Sequence, residues 1–145
     1  MEMDPYSIFL VEDHEGFANA LNNMLSQDQN LKIVAVAETA AAALEQLRDP
    51  KVDLVLIDFS LPDMTGLKLL ERLHHEHPEL RCAILSGHLL PQHARRALEV
   101  GGRGYLVKDD PLEILEGIAC ILRGEIYVSK GLHNTGPSDL LPGTA

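Results

Sequence analysis

Five residues of the chain have the types and the placement to do chemistry together. Glu12 and Asp13 stop the apolar run of residues 7–11, and Asp58 stops the run of residues 52–57. Ser86 closes a short run that starts at Cys82, and Lys108 follows Tyr105, Leu106 and Val107. In an open α/β sheet ligands bind beyond the carboxyl ends of the strands, so these positions would share one edge. Three carboxylates gathered there repel by roughly 4 kcal/mol per close pair at an effective dielectric near 20. Such a cluster calls for a cation, and hard oxygen ligands suit Mg²⁺, which keeps several of its waters. Taken singly, an acid just after a strand serves equally well as a helix cap or a loop residue. The convergence of all five on one edge favours a site.

The elements that must position these residues follow from periodicity. Residues 7–11 and 31–37 read as strands, and Phe17, Leu21, Met24 and Leu25 recur between them at helical spacing. Thr39 can cap a helix with Ala40, Ala43, Leu44 and Leu47 on one face, ended by Asp49 and Pro50. Residues 52–57 are nearly continuous in apolar character, as a doubly covered parallel strand should be. Leu61, Pro62 and Asp63 turn the chain into a helix carrying Leu67, Leu70 and Leu73. Residues 82–85 form a fourth strand, and Ala94, Ala97 and Leu98 line a helix that Gly101 and Gly102 terminate. Residues 105–107 are a fifth strand. Asp110, Pro111 and Glu113 then supply a cap, a first-turn proline and a capping-box acid before Leu115, Ile118, Ala119 and Leu122. Gly124 ends that helix, and residues 126–128 offer a short extended piece. The period switches between strand and helix five times, which predicts a (βα)5 doubly wound, five-stranded parallel sheet. Residues 1–128 read as one domain. Residues 129–145, with three glycines, two prolines and no sustained period, read as a linker or disordered tail.

Composition bounds the function. The 145 residues suit one domain, and 46% hydrophobic with 23% charged residues excludes wholesale disorder. Twelve Lys and Arg against 22 Asp and Glu leave a net charge of −10, which argues against this chain gripping nucleic acid by itself. No apolar run approaches the ~18 residues of a membrane span. The first five residues lack the basic flank of a signal peptide. Cys82 and Cys120 sit in apolar stretches without metal spacing, the usage of reduced thiols in a cytoplasmic protein. His74, His75 and His77 abut Pro78 and do not share a helix face, so they read as a solvated helix end.

The motifs carry a family resemblance. Val11-Glu12-Asp13-His14, the stretch from Leu56 through Asp58 and Pro62 to Gly66, Ser86-Gly87, and Gly104-Tyr105-Leu106-Val107-Lys108 resemble the motif set of response-regulator receiver domains. The resemblance covers about residues 6–128. Residues 101–109 and 119–128 are most similar to the LuxR-type subfamily of two-component regulators. It implies a CheY-like or flavodoxin-like sheet of strand order 2-1-3-4-5. It also implies that Asp58 is the phosphoacceptor for a sensor histidine kinase, and that Asp13, Asp58 and the backbone carbonyl of Ser60 ligate Mg²⁺ while Glu12 holds metal-bound water. Lys108 and Ser86 would contact the phosphoryl oxygens, and Tyr105 would swing inward as Ser86 moves. His88, at the mouth of the site with Ser60, would orient hydrolytic water or lie on the surface as a loop histidine. The resemblance further implies a homodimer on phosphorylation and a helix-turn-helix effector domain, absent from these residues, through which alone DNA would be bound. Such a domain catalyses only its own phosphorylation and dephosphorylation.

Two features depart from the pattern. The acidic pair is Glu-Asp where Asp-Asp is also common, and Asp109 follows Lys108 where many receivers carry proline. Rival readings meet specific obstacles. A flavodoxin needs a Ser/Thr-rich phosphate loop where this chain has Glu12, Asp13, His14 and Glu15, and a haloacid-dehalogenase-like phosphatase needs Asp-x-Asp where Phe59 and Ser60 follow Asp58. A receiver-fold interaction module that works without phosphorylation is the alternative that a small phosphodonor would discriminate.

Overall fold

The computed structural model describes residues 4–135. Strands and helices alternate as β1 (Tyr6–Val11), α1 (Glu15–Leu25), β2 (Leu31–Ala37), α2 (Ala40–Gln46), β3 (Leu54–Asp58), α3 (Gly66–Glu76), β4 (Cys82–Ser86), α4 (Pro91–Glu99), β5 (Gly104–Val107) and α5 (Pro111–Leu122). A two-residue β6 (Tyr127–Val128) and a 3-10 helix (Lys130–Thr135) complete the order. The sheet is parallel throughout, in the order β2-β1-β3-β4-β5-β6. It is the expected doubly wound sheet with one further strand on its edge.

Side-chain alternation builds a layer on each face. Ile8, Leu10, Leu54 and Leu56 point to the layer of α1 and α5, where Leu21, Leu25, Ile118 and Ile121 meet them. Phe9, Val11, Val55 and Ile57 point the other way, onto Ala40 and Ala43 of α2, Leu69, Leu70 and Leu73 of α3, and Ala94 and Ala97 of α4. All five residues of β3 and all five of β4 are buried, which is why their sequences run apolar without alternation. β2 is paired on one side only. A register shift opposite Ile8 and Phe9 carries Leu31 and Ile33 to one layer and Ala35 and Ala37 to the other, and leaves Val34 and Val36 exposed.

Caps end the helices largely where the sequence places them. Thr39 Oγ1 accepts the Ala42 N–H and Asp110 Oδ1 accepts the Glu113 N–H. Gly101 and Gly124 take positive φ just past α4 and α5, a conformation that favours glycine. The Glu113 carboxylate does not return to its helix as a capping-box acid. Its Oε2 accepts the Tyr127 hydroxyl at 3.1 Å and the Lys130 N–H at 2.8 Å. That contact belongs to a departure at the carboxyl end. From residue 129, expected as linker or tail, Ser129 Oγ accepts the Val107 N–H at 2.9 Å and Leu132 is buried in the α2–α4 layer. Residues 136–145 of that stretch lie outside the described residues. Cys82 and Cys120 are free, and burial pushes the Cys82 thiol up to about 12, which keeps it unreactive. Among the described residues no helix is long and apolar enough to cross a membrane.

Candidate functional site

The strand register brings the chemistry to one level. Val11 pairs with Ile57, Asp58 with Leu85 and Ser86 with Val107, so Glu12, Asp58, Ser86 and Lys108 leave the sheet side by side. The Glu12 and Asp58 carboxylates are buried, Asp13 is exposed, and Lys108 reaches between the buried pair. Its Nζ lies 2.7 Å from Glu12 Oε1 and 3.1 Å from Asp58 Oδ1. Glu12, Asp13 and Asp58 each offer an oxygen within 4.8 Å of the others. Burial pushes the Glu12 carboxyl above its ordinary range, and the adjacent Asp58 charge adds to this. Hydrogen bonds from Lys108 and the His14 N–H only partly offset the rise. One ammonium balances part of three negative charges, and the rest of the site is hard oxygen.

Gly66 shows why the Asp58 loop needs its sequence. The Gly66 N–H donates to the Phe59 carbonyl at 2.7 Å, folding the loop back on β3. A Cβ at residue 66 would lie 2.3 Å from the Asp58 carbonyl oxygen, so any side chain would push α3 off the strand end that carries Asp58. Ser60 donates its N–H to Asp58 Oδ1 at 3.3 Å and pairs with Thr65 across the loop.

The other half of the site is a hydrogen-bonded knot between β4 and β5. Ser86 Oγ donates to the His88 carbonyl at 3.2 Å and accepts the His88 N–H at 3.1 Å. Tyr105, fully buried, donates its hydroxyl to the same carbonyl at 2.6 Å. Tyr105 therefore stands inward, and it is the His88 main chain that engages it. The His88 side chain is exposed. The Lys108–Asp109 peptide is trans.

The response regulator receiver domain family matches residues 8–119 of this chain. The chain belongs to that family. As a receiver it is similar to the transcriptional activator protein ExaE of Pseudomonas putida, 33% identical over 126 residues, covering 86% of this chain and 59% of the relative. It is similar to the nitrate/nitrite response regulator protein NarL of Escherichia coli, 27% identical over 130 residues, covering 89% of this chain and 60% of the relative. The solved structure of a two-component response regulator of the LuxR family from Aurantimonas sp. superposes with a TM-score of 0.85 at 27% identity, covering 90% of this chain and 94% of that one. The receiver spans about three fifths of the length of these two curated relatives.

Of the residues singled out by sequence, Glu12, Asp13, Asp58 and Lys108 come together, and Ser86 with Tyr105 forms the neighbouring knot. Two residues with local roles were not singled out. Phe17, read only as part of a helix face, lies under Lys108 with its ring centroid 4.6 Å from Nζ. Its place one turn into the helix that follows the acidic pair is the signal that could have found it. Asp63 accepts the Ala40 and Ala41 N–H groups at 2.9 Å each, tying the β3–α3 loop to the start of α2. Nothing in the sequence pairs residues so far apart.

Proposed function

We propose that this receiver accepts a phosphoryl group on Asp58 from a phosphohistidine of a sensor histidine kinase, in a Mg²⁺-dependent reaction. The change would pass to a LuxR-type DNA-binding effector domain outside these residues. The observation that carries this reading is the setting of Asp58: a buried carboxylate at the end of β3, held by an ammonium and flanked by two more acids. The P–N bond of the donor breaks as the Asp58 oxygen bonds to phosphorus. Phosphoryl transfer asks for positioning and charge neutralisation more than covalent help, and this edge supplies both. Lys108 is already beside the acceptor, and Ser86 can turn its hydroxyl from the His88 carbonyl to a phosphoryl oxygen.

The donor set fits Mg²⁺: carboxylate oxygens within 4.8 Å of one another, one of them on exposed Asp13 where waters have access. Asp13, Asp58 and the Ser60 carbonyl would hold the ion with Glu12 beside them, and when bound it supplies further charge neutralisation. Recruitment of Ser86 frees the His88 carbonyl of one donor and loosens the knot around Tyr105. This is the route by which the β4–α4 loop would answer phosphorylation and a receiver face would favour a homodimer.

Intact-mass measurement tests the reading. Acetyl phosphate with Mg²⁺ should add one phosphoryl group to the wild type and none to Asp58→Asn, and a chelator should abolish the addition. Equal labelling of the variant would sink the acceptor assignment. A wild type that never labels would favour the phosphorylation-independent interaction module. Mg²⁺ titration should weaken more for Asp13→Ala than for Glu12→Ala, and the reverse order would remove Asp13 from the ion's ligands.

A further inference from the structure

Lys108 has a third neighbour that the phosphoacceptor reading leaves unused. Its Nζ is 4.6 Å from the centroid of the Phe17 ring, while Glu12 and Asp58 hold it at 2.7 and 3.1 Å. A cation within about 6 Å of a ring centroid is drawn to the negative face of the π system. Only 20% of the Lys108 side chain is exposed, so water screens this attraction little. The ring is held in turn. The Phe17 N–H donates to His14 Nδ1 at 3.0 Å, and the next residue, Ala18, is buried in the α1–α5 layer.

We propose that Phe17 is a positioning residue for phosphoryl transfer, its ring holding the Lys108 ammonium at the level of Asp58. The proposal rests on the reading of Asp58 as acceptor. A lysine reaches its target on a flexible four-carbon stem, and freedom left in that stem is entropy lost when the transition state forms. Asp58 cannot supply the constraint throughout, because it is the group that becomes phosphorylated. Glu12 and Phe17 are the contacts of Lys108 that are not themselves modified, Glu12 holding its charge from one side and the Phe17 ring from another. An aliphatic side chain would fill the same space without the quadrupole, and this separates positioning from packing.

The experiment uses acetyl phosphate with Mg²⁺ on the whole chain. Phe17→Leu keeps apolar volume, Phe17→Tyr keeps an electron-rich ring, and site-specific pentafluorophenylalanine keeps the ring shape while reversing the charge of its face. The Leu and pentafluoro variants should phosphorylate Asp58 roughly five- to tenfold more slowly, with Tyr within about twofold of wild type. Melting temperature checks that each variant is folded. In the unphosphorylated wild type the Lys108 ε-methylene protons should be shifted upfield by the ring current, and Phe17→Leu should abolish the shift. That readout does not depend on phosphorylation. If the wild type takes no phosphoryl group, the acceptor reading fails while the methylene shift still reports the contact. If the wild type is labelled and the folded pentafluoro variant keeps its rate, Phe17 is packing and the proposal is overturned. An unshifted ε-methylene in the wild type overturns it as well.

Discussion

At the scale of single residues, the His88 carbonyl is the junction of the site, because Ser86 and Tyr105 both donate to it. Tyr105→Phe deletes one donor and leaves the other, so the carbonyl is not orphaned. The expected cost is ~0.5–1.5 kcal/mol in urea unfolding at neutral pH. Burial raises the Tyr105 phenol above 10.0, with hydrogen bonding from the Ser86 hydroxyl and the Leu90 main chain to its oxygen offsetting part of the rise. Above pH 10 the folded state thus keeps a proton that the unfolded chain has given up, and stability falls as pH rises. Burial and the adjacent Glu113 carboxylate raise the Tyr127 phenol as well, so Tyr105→Phe should lessen the alkaline loss without abolishing it, and an unchanged profile would place the loss on other groups. His88 presents the opposite case, since its main chain is engaged and its side chain is exposed. His88→Ala preserves the knot, so a changed lifetime of phosphorylated Asp58 would come from the imidazole alone. An unchanged lifetime returns it to the role of a loop histidine.

Elements rather than residues decide how the site is held, and here Asp63 matters most. Its carboxylate takes two N–H groups at the start of α2, and these hydrogen bonds hold its pKa below 3.8. A depressed acid stabilises the fold above its unfolded value and loses the contribution as pH falls through 3.8 and below. Asp63→Ala should cost about 1 kcal/mol at pH 7 by analogy with a lost cap, and the difference from wild type should close in strong acid. A gap that persists there would mean packing, not charge, is lost. The carboxyl-terminal strap gives a second prediction: Leu132→Ala deletes a buried side chain and should cost roughly 2–5 kcal/mol in urea unfolding. A cost under ~0.5 kcal/mol, the level of a surface substitution, would mean the strap is not part of the core. These two elements mark the boundary of what the sequence discloses. Strand ends, the Thr39 and Asp110 caps and the turn at Leu61, Pro62 and Asp63 were legible because period, cap chemistry and turn residues act within a few residues, and the stretch from Asp58 to Gly66 was legible by its family resemblance. The Asp63 bridge, the turn of Glu113 toward Tyr127 and Lys130, and the burial of Leu132 rest on partners 22, 14, 17 and further residues away. No local pattern encodes them.

For the molecule as a whole, charge is the dominant fact. Each receiver carries −10, so two copies repel before any face meets. A dimer driven by phosphorylation must overcome this, and moving a switch from 1:99 to 99:1 takes ~5.5 kcal/mol of differential stabilisation. Charge-assisted bonds from Lys108 and Ser86 to one phosphoryl group can supply much of it. Sedimentation with Mg²⁺ and beryllofluoride should therefore show a heavier species than sedimentation without them, and an unchanged monomer would count against the dimer. Ionic strength then reports how the face is built. Between 0.01 and 0.1 M salt the Debye length falls from about 30 to about 10 Å, which screens the repulsion between two −10 bodies but leaves close contacts largely intact. The active dimer should tighten across that range if its face is mainly apolar. Weakening instead would mean that opposite charges on the two copies hold it together, and that the −10 is arranged around a cationic patch rather than spread evenly over the surface.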